Sequence, residues 1–210
     1  MPGAVQKVDN ASFLGIGEAE LTPAVRQALT QLISEIDELR QEVGRLKARL
    51  NEAEDLADLD ALTPLLNRRA FLRELNRVIA FAGRFGGPAS LVYFDLDGFK
   101  AVNDRFGHAA GDAALKGVAQ RLAAQMREGD LIGRIGGDEF GVILVQADVG
   151  AALAKAAVMA ASVENEPVPC GEWLTPVKIS YGVRQIDPAS SAEQVLADAD
   201  QAMYARKRAG

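Results

Sequence analysis

The sequence predicts an α+β fold, a mostly antiparallel central sheet flanked by helices, preceded by one long coiled-coil helix. Three observations lead there. Apolar runs of strand length at Leu91–Asp95, Leu131–Ile135, Phe140–Val145 and Val177–Val183 alternate with longer runs of helical period, a pattern that makes a helix-covered layer. Gly136 and Gly137 part the second and third runs, and adjacent glycines at a tight reversal are a strong hairpin signal. Ahead of these, residues 22–59 carry an apolar heptad repeat, the pattern of a coiled-coil seam.

In chain order, residues 1–21 hold Gly, Pro, Asn and Ser with little periodicity. That composition predicts disorder, with a short docking segment around Phe13-Leu14 as the other reading. Thr22-Pro23 starts a helix, threonine as N-cap and proline at the first helical position. From there to Leu59 the a positions are Leu29, Ile36, Val43, Leu50 and Ala57, and the d positions Val25, Leu32, Leu39, Leu46 and Ala53. Ile and Val at central a positions with Leu at d favour a parallel two-stranded coil. Across such a seam Glu35 would meet Arg40 of the partner, Glu42 would meet Lys47, and Arg49 would meet Glu54, all of opposite sign. A parallel homodimer through residues 22–59 is the expectation; a helix packed on its own domain is the alternative. Residues 60–210 form the second domain. Thr63-Pro64 marks a non-helical link, and Asp60, Asn67 and Arg68 read as a hydrogen-bonded hinge. Helical period resumes through Phe71, Leu75, Val78, Ile79 and Ala82 and stops at Gly86-Gly-Pro88. After the first strand come a short helical turn, a helix over 109–127, the hairpin, and a helix over 151–163. Pro167–Pro176 reads as an irregular connection with room for a short edge strand, ahead of the last strand and a helix over 192–207.

Composition narrows the function. With 210 residues, about half of them apolar, the chain has enough for one sizeable core plus an appended element. No run of 18 apolar residues occurs and no basic-then-apolar segment opens the chain, so neither a membrane span nor a secretory signal is expected. Cys170 is the sole cysteine, which excludes an internal disulfide and fits a reducing cytoplasm. A net charge of −6 without a basic stripe argues against binding long nucleic acid. A small phosphorylated ligand remains open to it.

Two stretches carry candidate chemistry. In Arg134-Ile-Gly-Gly-Asp-Glu-Phe140 the glycines permit positive φ and close approach of a ligand at Gly137, and Asp138 and Glu139 stand at the turn exit. Those acids fit either a hard cation or a solvated turn. In Ser90-Leu-Val-Tyr-Phe-Asp-Leu-Asp-Gly-Phe-Lys100, Asp95 and Asp97 lie two apart on one side of a strand, at its mouth. Oxygen ligands on separate strands with basic groups nearby suit Mg²⁺ holding nucleotide phosphates.

Gly136-Gly137-Asp138-Glu139-Phe140 resembles the signature of the GGDEF family of diguanylate cyclases. Asp95–Asp104, Phe106-Gly-His108, Gly111-Asp112 and Asp60–Arg69 match the same family in order, over about residues 58–210. The resemblance implies a nucleotidyl-cyclase-like fold and condensation of two GTP into cyclic di-GMP with release of two pyrophosphates. It implies two Mg²⁺ per site, with Mn²⁺ as a substitute, held by Asp95, Asp138 and the backbone carbonyl of Leu96. Asp138, Glu139 and Lys100 are the catalytic candidates. Glu139 has three open roles: metal binding, aid to deprotonation, or holding the turn. Gly98, Phe99, Lys100, Gly137 and Lys207 match phosphate-side positions, and Asn103 and Asp112 match those that read guanine. Arg127 and Asp130 form an R-x-x-D at the spacing of the family's product-inhibition site. His108, the only histidine, is read as structural. The alternative function is a catalytically inactive module that senses GTP or cyclic di-GMP.

Overall fold

The computed structural model describes residues 22–56, 58–170 and 173–209, leaving aside the side chains of 48–56, 169–170, 173 and 209. The predicted disorder over 1–21 and the heptad side chains at 50, 53 and 57 therefore lie outside the described residues. The chain divides into two compact units, one ending at Leu56 and the other spanning Ala57–Gly210.

The first unit is helix α1, Pro23–Leu56. Thr22 caps it: its Oγ1 accepts from the Val25 amide at 3.3 Å and its carbonyl from Arg26 at 3.0 Å. Among the described residues, the apolar side chains Val25, Leu32, Ile36, Leu39, Val43 and Leu46 are 46–66 % exposed. None of the described helices is long and apolar enough to cross a membrane.

The second unit is the predicted α+β layer. It runs α2 (Arg68–Phe85), β1 (Ala89–Asp97), α3 (Phe99–Phe106), α4 (His108–Ala124), β2 (Leu131–Arg134), β3 (Glu139–Val145) and α5 (Val149–Glu164). Then come β4 (Val168–Cys170), β5 (Trp173–Thr175), β6 (Lys178–Gln185) and α6 (Ala192–Ala209). The main sheet has the order β2-β3-β1-β6, and every pairing is antiparallel. Val92, Phe94 and Leu96 of β1 face a core shared with α4 and α5, and Leu91 and Tyr93 face one shared with α2 and α6. The alternation is the strand period of two, and both faces are covered.

Three elements differ from expectation. The irregular connection at 167–176 contains a two-stranded hairpin, β4 with β5, because the prolines flank or edge the pairing rather than interrupt a central strand. Helix α4 ends at Ala124, before Arg127, because a turn closes there: the Asp130 amide donates to Arg127 O at 3.1 Å and Gly129 takes φ 94°. Gly136 and Gly137 are not in the left-handed region; among the described residues the glycines that adopt it are Gly86, Gly87, Gly98, Gly107 and Gly129. What the turn requires of Gly136 is space, as described below.

Two close approaches set the layer spacing. The Phe71 ring of α2 lies where side chains at Gly133 and Gly141 would stand, 2.8 and 2.5 Å from their ideal Cβ positions. Helix α6 lies directly on β6, and a Cβ at Gly182 would come within 2.2 Å of both Ala199 O and Met203 N. Backbone cannot yield as a side-chain tip can. Gly182→Ala is expected to destabilise the protein by about 3 kcal/mol, at the upper end of overpacking costs, read from the urea unfolding midpoint.

Candidate active site

The site is built where β1 ends. In the antiparallel register Asp95 stands opposite Glu139 of β3 on one side and Ser180 of β6 on the other. The turn carrying the acids is closed by main chain: Ile135 and Gly136 amides donate to Glu139 O at 2.9 and 3.3 Å, and the Leu96 amide to Asp138 O at 3.2 Å. This brings Asp95, Leu96, Asp138 and Glu139 to one sheet end.

Glu139 is lodged inward. Its Oε2 lies 1.7 Å from the ideal Cβ position of Gly136, so any side chain at Gly136 would expel the carboxylate. Burial first, then the Glu139 carboxylate, push the Tyr93 phenol's pKa well above its ordinary value. Gly137 is different: nothing lies within 4 Å of its Cβ position. One glycine makes room for a neighbour, the other leaves an open approach.

Two arginines tie the turn to the domain entrance. Arg134 donates to Gly137 O through Nε at 3.2 Å and Nη2 at 2.7 Å, while its Nη1 reaches Asp60 Oδ1 at 3.2 Å. Arg68 Nη1 donates to Ile135 O at 2.9 Å. Asp60 also accepts from the Thr63 amide at 2.8 Å and the Thr63 hydroxyl at 2.7 Å. Burial raises the Asp60 pKa, but the Thr63 bonds and Arg134 outweigh it, and the net shift is downward. The Asn67 side chain caps α2 by accepting from Ala70 at 2.9 Å. Asp60, Asn67 and Arg68 are thus each hydrogen-bonded at the domain entrance.

Opposite the turn, α6 delivers Lys207. Its Nζ donates to Asp95 Oδ2 and to Asp97 Oδ1, each at 2.6 Å. Burial lowers the lysine's pKa, yet the bonds to Asp95 and Asp97 prevail and raise it. Asp138 moves upward, chiefly from burial, then from the charge of Asp95; its own backbone hydrogen bond, Lys207 and Arg134 offset part of this. A cation already lies between carboxylates here, and the donors are hard oxygens, which fits Mg²⁺ or Mn²⁺. No group of three or more His, Cys, Asp or Glu side chains forms a ready-made cage among the described residues.

The other predicted residues gather along α3 and α4. Gly98 adopts φ 70°, which starts α3 and leaves the first-turn amides of Phe99 and Lys100 without helical acceptors. Lys100 and Asp112 are exposed. Asn103 packs on α4, with its Oδ1 1.9 Å from where a Cβ of Gly111 would stand. His108 is the exposed first residue of α4.

Arg127 and Asp130 lie apart from these residues, at the far end of β3. Arg127 Nε pairs with Asp130 Oδ2 at 3.2 Å and Nη2 donates to Val145 O at 2.5 Å. The Asp130 side chain is 1 % exposed and Arg127 58 %. With Gln146 and Lys155 they line a cavity of ≈ 200 Å³.

The family model for the diguanylate cyclase GGDEF domain matches residues 57–210. The chain belongs to the GGDEF family. Among relatives, diguanylate cyclase DgcP of Pseudomonas aeruginosa is 34 % identical over 194 residues, which is 92 % of this chain and 29 % of that protein. DosC of Escherichia coli is 34 % identical over 188 residues, 89 % of this chain and 39 % of DosC. The chain thus spans less than two-fifths of either relative's length. Among solved structures, the coiled coil and GGDEF domain of DgcB from Caulobacter crescentus, in complex with c-di-GMP, aligns with TM-score 0.70 and 29 % identity. That match covers 85 % of this chain and 95 % of the DgcB chain.

Within the GGDEF unit the structure gathers Asp95, Leu96, Asp138, Glu139 and Lys207 at one point, and keeps Arg127 and Asp130 apart. Sequence reasoning offered Asp97 only as an oxygen ligand beside Asp95, quoted Arg134 and Gly111 within motifs without a role, and missed Ser180 and Gly182. The spacing of Asp97 from Asp95 was a signal; the others act through contacts remote in sequence. Asp138 yields a pH prediction. With a folded pKa above its unfolded value, its ionisation costs stability as pH rises through that window. Asp138→Asn is expected to raise the unfolding midpoint of nucleotide-free protein at neutral pH. The gain should vanish as pH falls through the raised pKa, read by thermal scans across pH.

Proposed function

We propose that this chain is a diguanylate cyclase, condensing two GTP into cyclic di-GMP and two pyrophosphates. The observation that carries the reading is the convergence of Asp95 with the Asp138-Glu139 turn beside the Lys207 ammonium, in a chain of the GGDEF family. That DgcP and DosC are named diguanylate cyclases supports it, as does the c-di-GMP complex of DgcB.

In each half-reaction the 3′-hydroxyl of one GTP attacks the α-phosphorus of the other and pyrophosphate leaves. Asp95, Asp138 and the Leu96 carbonyl would hold two Mg²⁺, or Mn²⁺ in their place, which when bound supply charge neutralisation at the attacking and leaving oxygens. The chain's own groups do the rest. The Phe99 and Lys100 amides, opened by Gly98, face the phosphates as a nest does. Lys100 and Lys207 add positive charge, and the open approach at Gly137 lets a phosphate come near the main chain. Asn103 accepts from and donates to guanine, and Asp112 accepts; ATP would leave both unpaired, so discrimination is strong. Gly111 supports this role by giving the Asn103 side chain a fixed place. Glu139 stays a candidate for metal binding or deprotonation, while its contacts with Tyr93 and Gly136 favour holding the turn.

Each subunit holds one GTP, so two sites must face each other. The exposed apolar side chains described along α1 support a parallel homodimer through residues 22–59, which would replace collision by a high effective concentration. Arg127 and Asp130 would bind the product: arginine contacts phosphate and stacks on guanine, and aspartate accepts from the guanine edge. GTP as substrate points to the cytoplasm as the compartment.

Incubation with GTP and Mg²⁺ should yield cyclic di-GMP by mass, and Asp138→Ala should lower the rate by at least about 100-fold, the scale of losing a charge stabiliser in a transition state. Nucleotide binding without product from the intact protein would instead establish the sensing module. Arg127→Ala should weaken product inhibition about tenfold or more, the worth of a charge-assisted contact; an unchanged inhibition curve would refute the assigned site. Deleting residues 1–57 should make specific activity fall steeply on dilution, and activity constant across the dilution series would sink the role of the stalk.

A further inference from the structure

Lys207 is shared between two carboxylates that are not equivalent. Lys207 is the only side-chain partner of Asp95 among the described hydrogen bonds and ion pairs. Asp97 has a second one on β6, where Ser180 Oγ lies 3.0 Å from each of its oxygens. Ser180 stands opposite Asp95 in register and Lys178 opposite Asp97, so the hydroxyl reaches Asp97 across the strand diagonal. The side chains of Asp97 and Lys207 are 28 % and 37 % exposed, and with Ser180 they line one open cavity of ≈ 600 Å³.

Resting on the GTP reading above, we propose that Asp97, braced by Ser180, is a positioning residue: it keeps the Lys207 ammonium at the mouth of β1 for the polyphosphate. Asp95 is assigned to the metal, and a cation there competes with Lys207 for the same carboxylate. The lysine then keeps Asp97. An ammonium has three protons; two are used on Asp95 and Asp97, so release from Asp95 leaves two for phosphate oxygens. A lysine at a helix end with no fixed partner would sample many rotamers, and ordering it would cost affinity when the nucleotide arrives. Asp97 settles that ordering beforehand. Ser180 does the same one step further out, since a carboxylate held by a hydroxyl cannot swing after the departing ammonium. The packing of α6 on Gly182 completes the device: Met203, which crosses Gly182, lies one helical turn before Lys207.

An ordinary helix-end ion pair would look similar in a static structure but would not be selective for phosphate. The test therefore compares two probes on the full-length chain. 3′-deoxy-GTP with Mg²⁺ carries the phosphates but lacks the attacking hydroxyl, and is titrated by calorimetry; guanosine carries none, and is followed by NMR shift titration. Asp97→Asn and Lys207→Met should each weaken 3′-deoxy-GTP about tenfold, as for a lost charge-assisted contact, and leave guanosine unchanged. The double variant should bind no more weakly than Lys207→Met alone, because Asp97 acts through the lysine. Ser180→Ala, the milder change should Asp97→Asn disturb folding, should weaken 3′-deoxy-GTP about threefold, and Ser180→Thr should restore it. Losses that multiply in the double variant, or an equal loss for guanosine, would overturn the positioning role while leaving the GTP site intact. A wild-type chain that binds no 3′-deoxy-GTP would overturn the GTP reading and this inference together.

Discussion

The antiparallel register of β1 between β3 and β6 is the constraint on which the rest depends. It sets Asp95 opposite Glu139 on one side and Ser180 on the other. A slip of one residue would exchange the faces of β1 and drive Asp95 and Asp97 toward the core that holds Phe94 and Leu96. Burial of Val92, Phe94 and Leu96 on one face, with Leu91 and Tyr93 on the other, makes that slip costly. The apolar residues of the strand thus aim its acids without touching them.

Glycine then decides how closely the layers come together. At Gly133 and Gly141 the missing side chains admit the Phe71 ring, which seats α2 on the hairpin; at Gly182 the missing Cβ admits the backbone of α6 itself. The second contact has chemical consequences, because the helix that lies on β6 is the one that carries Lys207 back to Asp95, 112 residues away in the chain. At Gly136 and Gly111 the vacated space holds the side chains of Glu139 and Asn103. Only Gly98 of the site glycines serves through a left-handed backbone.

Electrostatics ties these parts together. Asp95, Asp97, Asp138 and Glu139 share one sheet end, and burial first, then the charge of Asp95, raise the Asp138 carboxyl. Lys207 and Arg134 moderate it from opposite sides, one from the last helix and one anchored on Asp60 at the domain entrance. The Asp60–Arg134–Gly137 chain is a continuous set of hydrogen bonds from the entrance to the turn that bears Asp138. Any change in the conformation of residues 60–63 therefore bears on the carbonyl of Gly137.

Much of this molecule was legible in the sequence. The two periods, 3.5 in the stalk and two in the strands, depend on local chemistry, so the elements and the α+β class could be read directly. The acids and glycines of the signature could be read too, since a turn places residues that are neighbours in the chain. The connection at 167–176 was harder, because its prolines disguised a short hairpin whose pairing exists only between its own two edges. The reason for Gly136 was misread for a related cause: sequence shows that a residue lacks a side chain, not which neighbour fills the space. Tertiary structure alone decided the rest. That Lys207 meets Asp95 and Asp97, that Ser180 braces Asp97, and that Arg134 joins Asp60 to the turn all follow from strand register and helix packing between segments far apart in sequence. Local pattern specifies which groups a chain owns; packing specifies which of them meet.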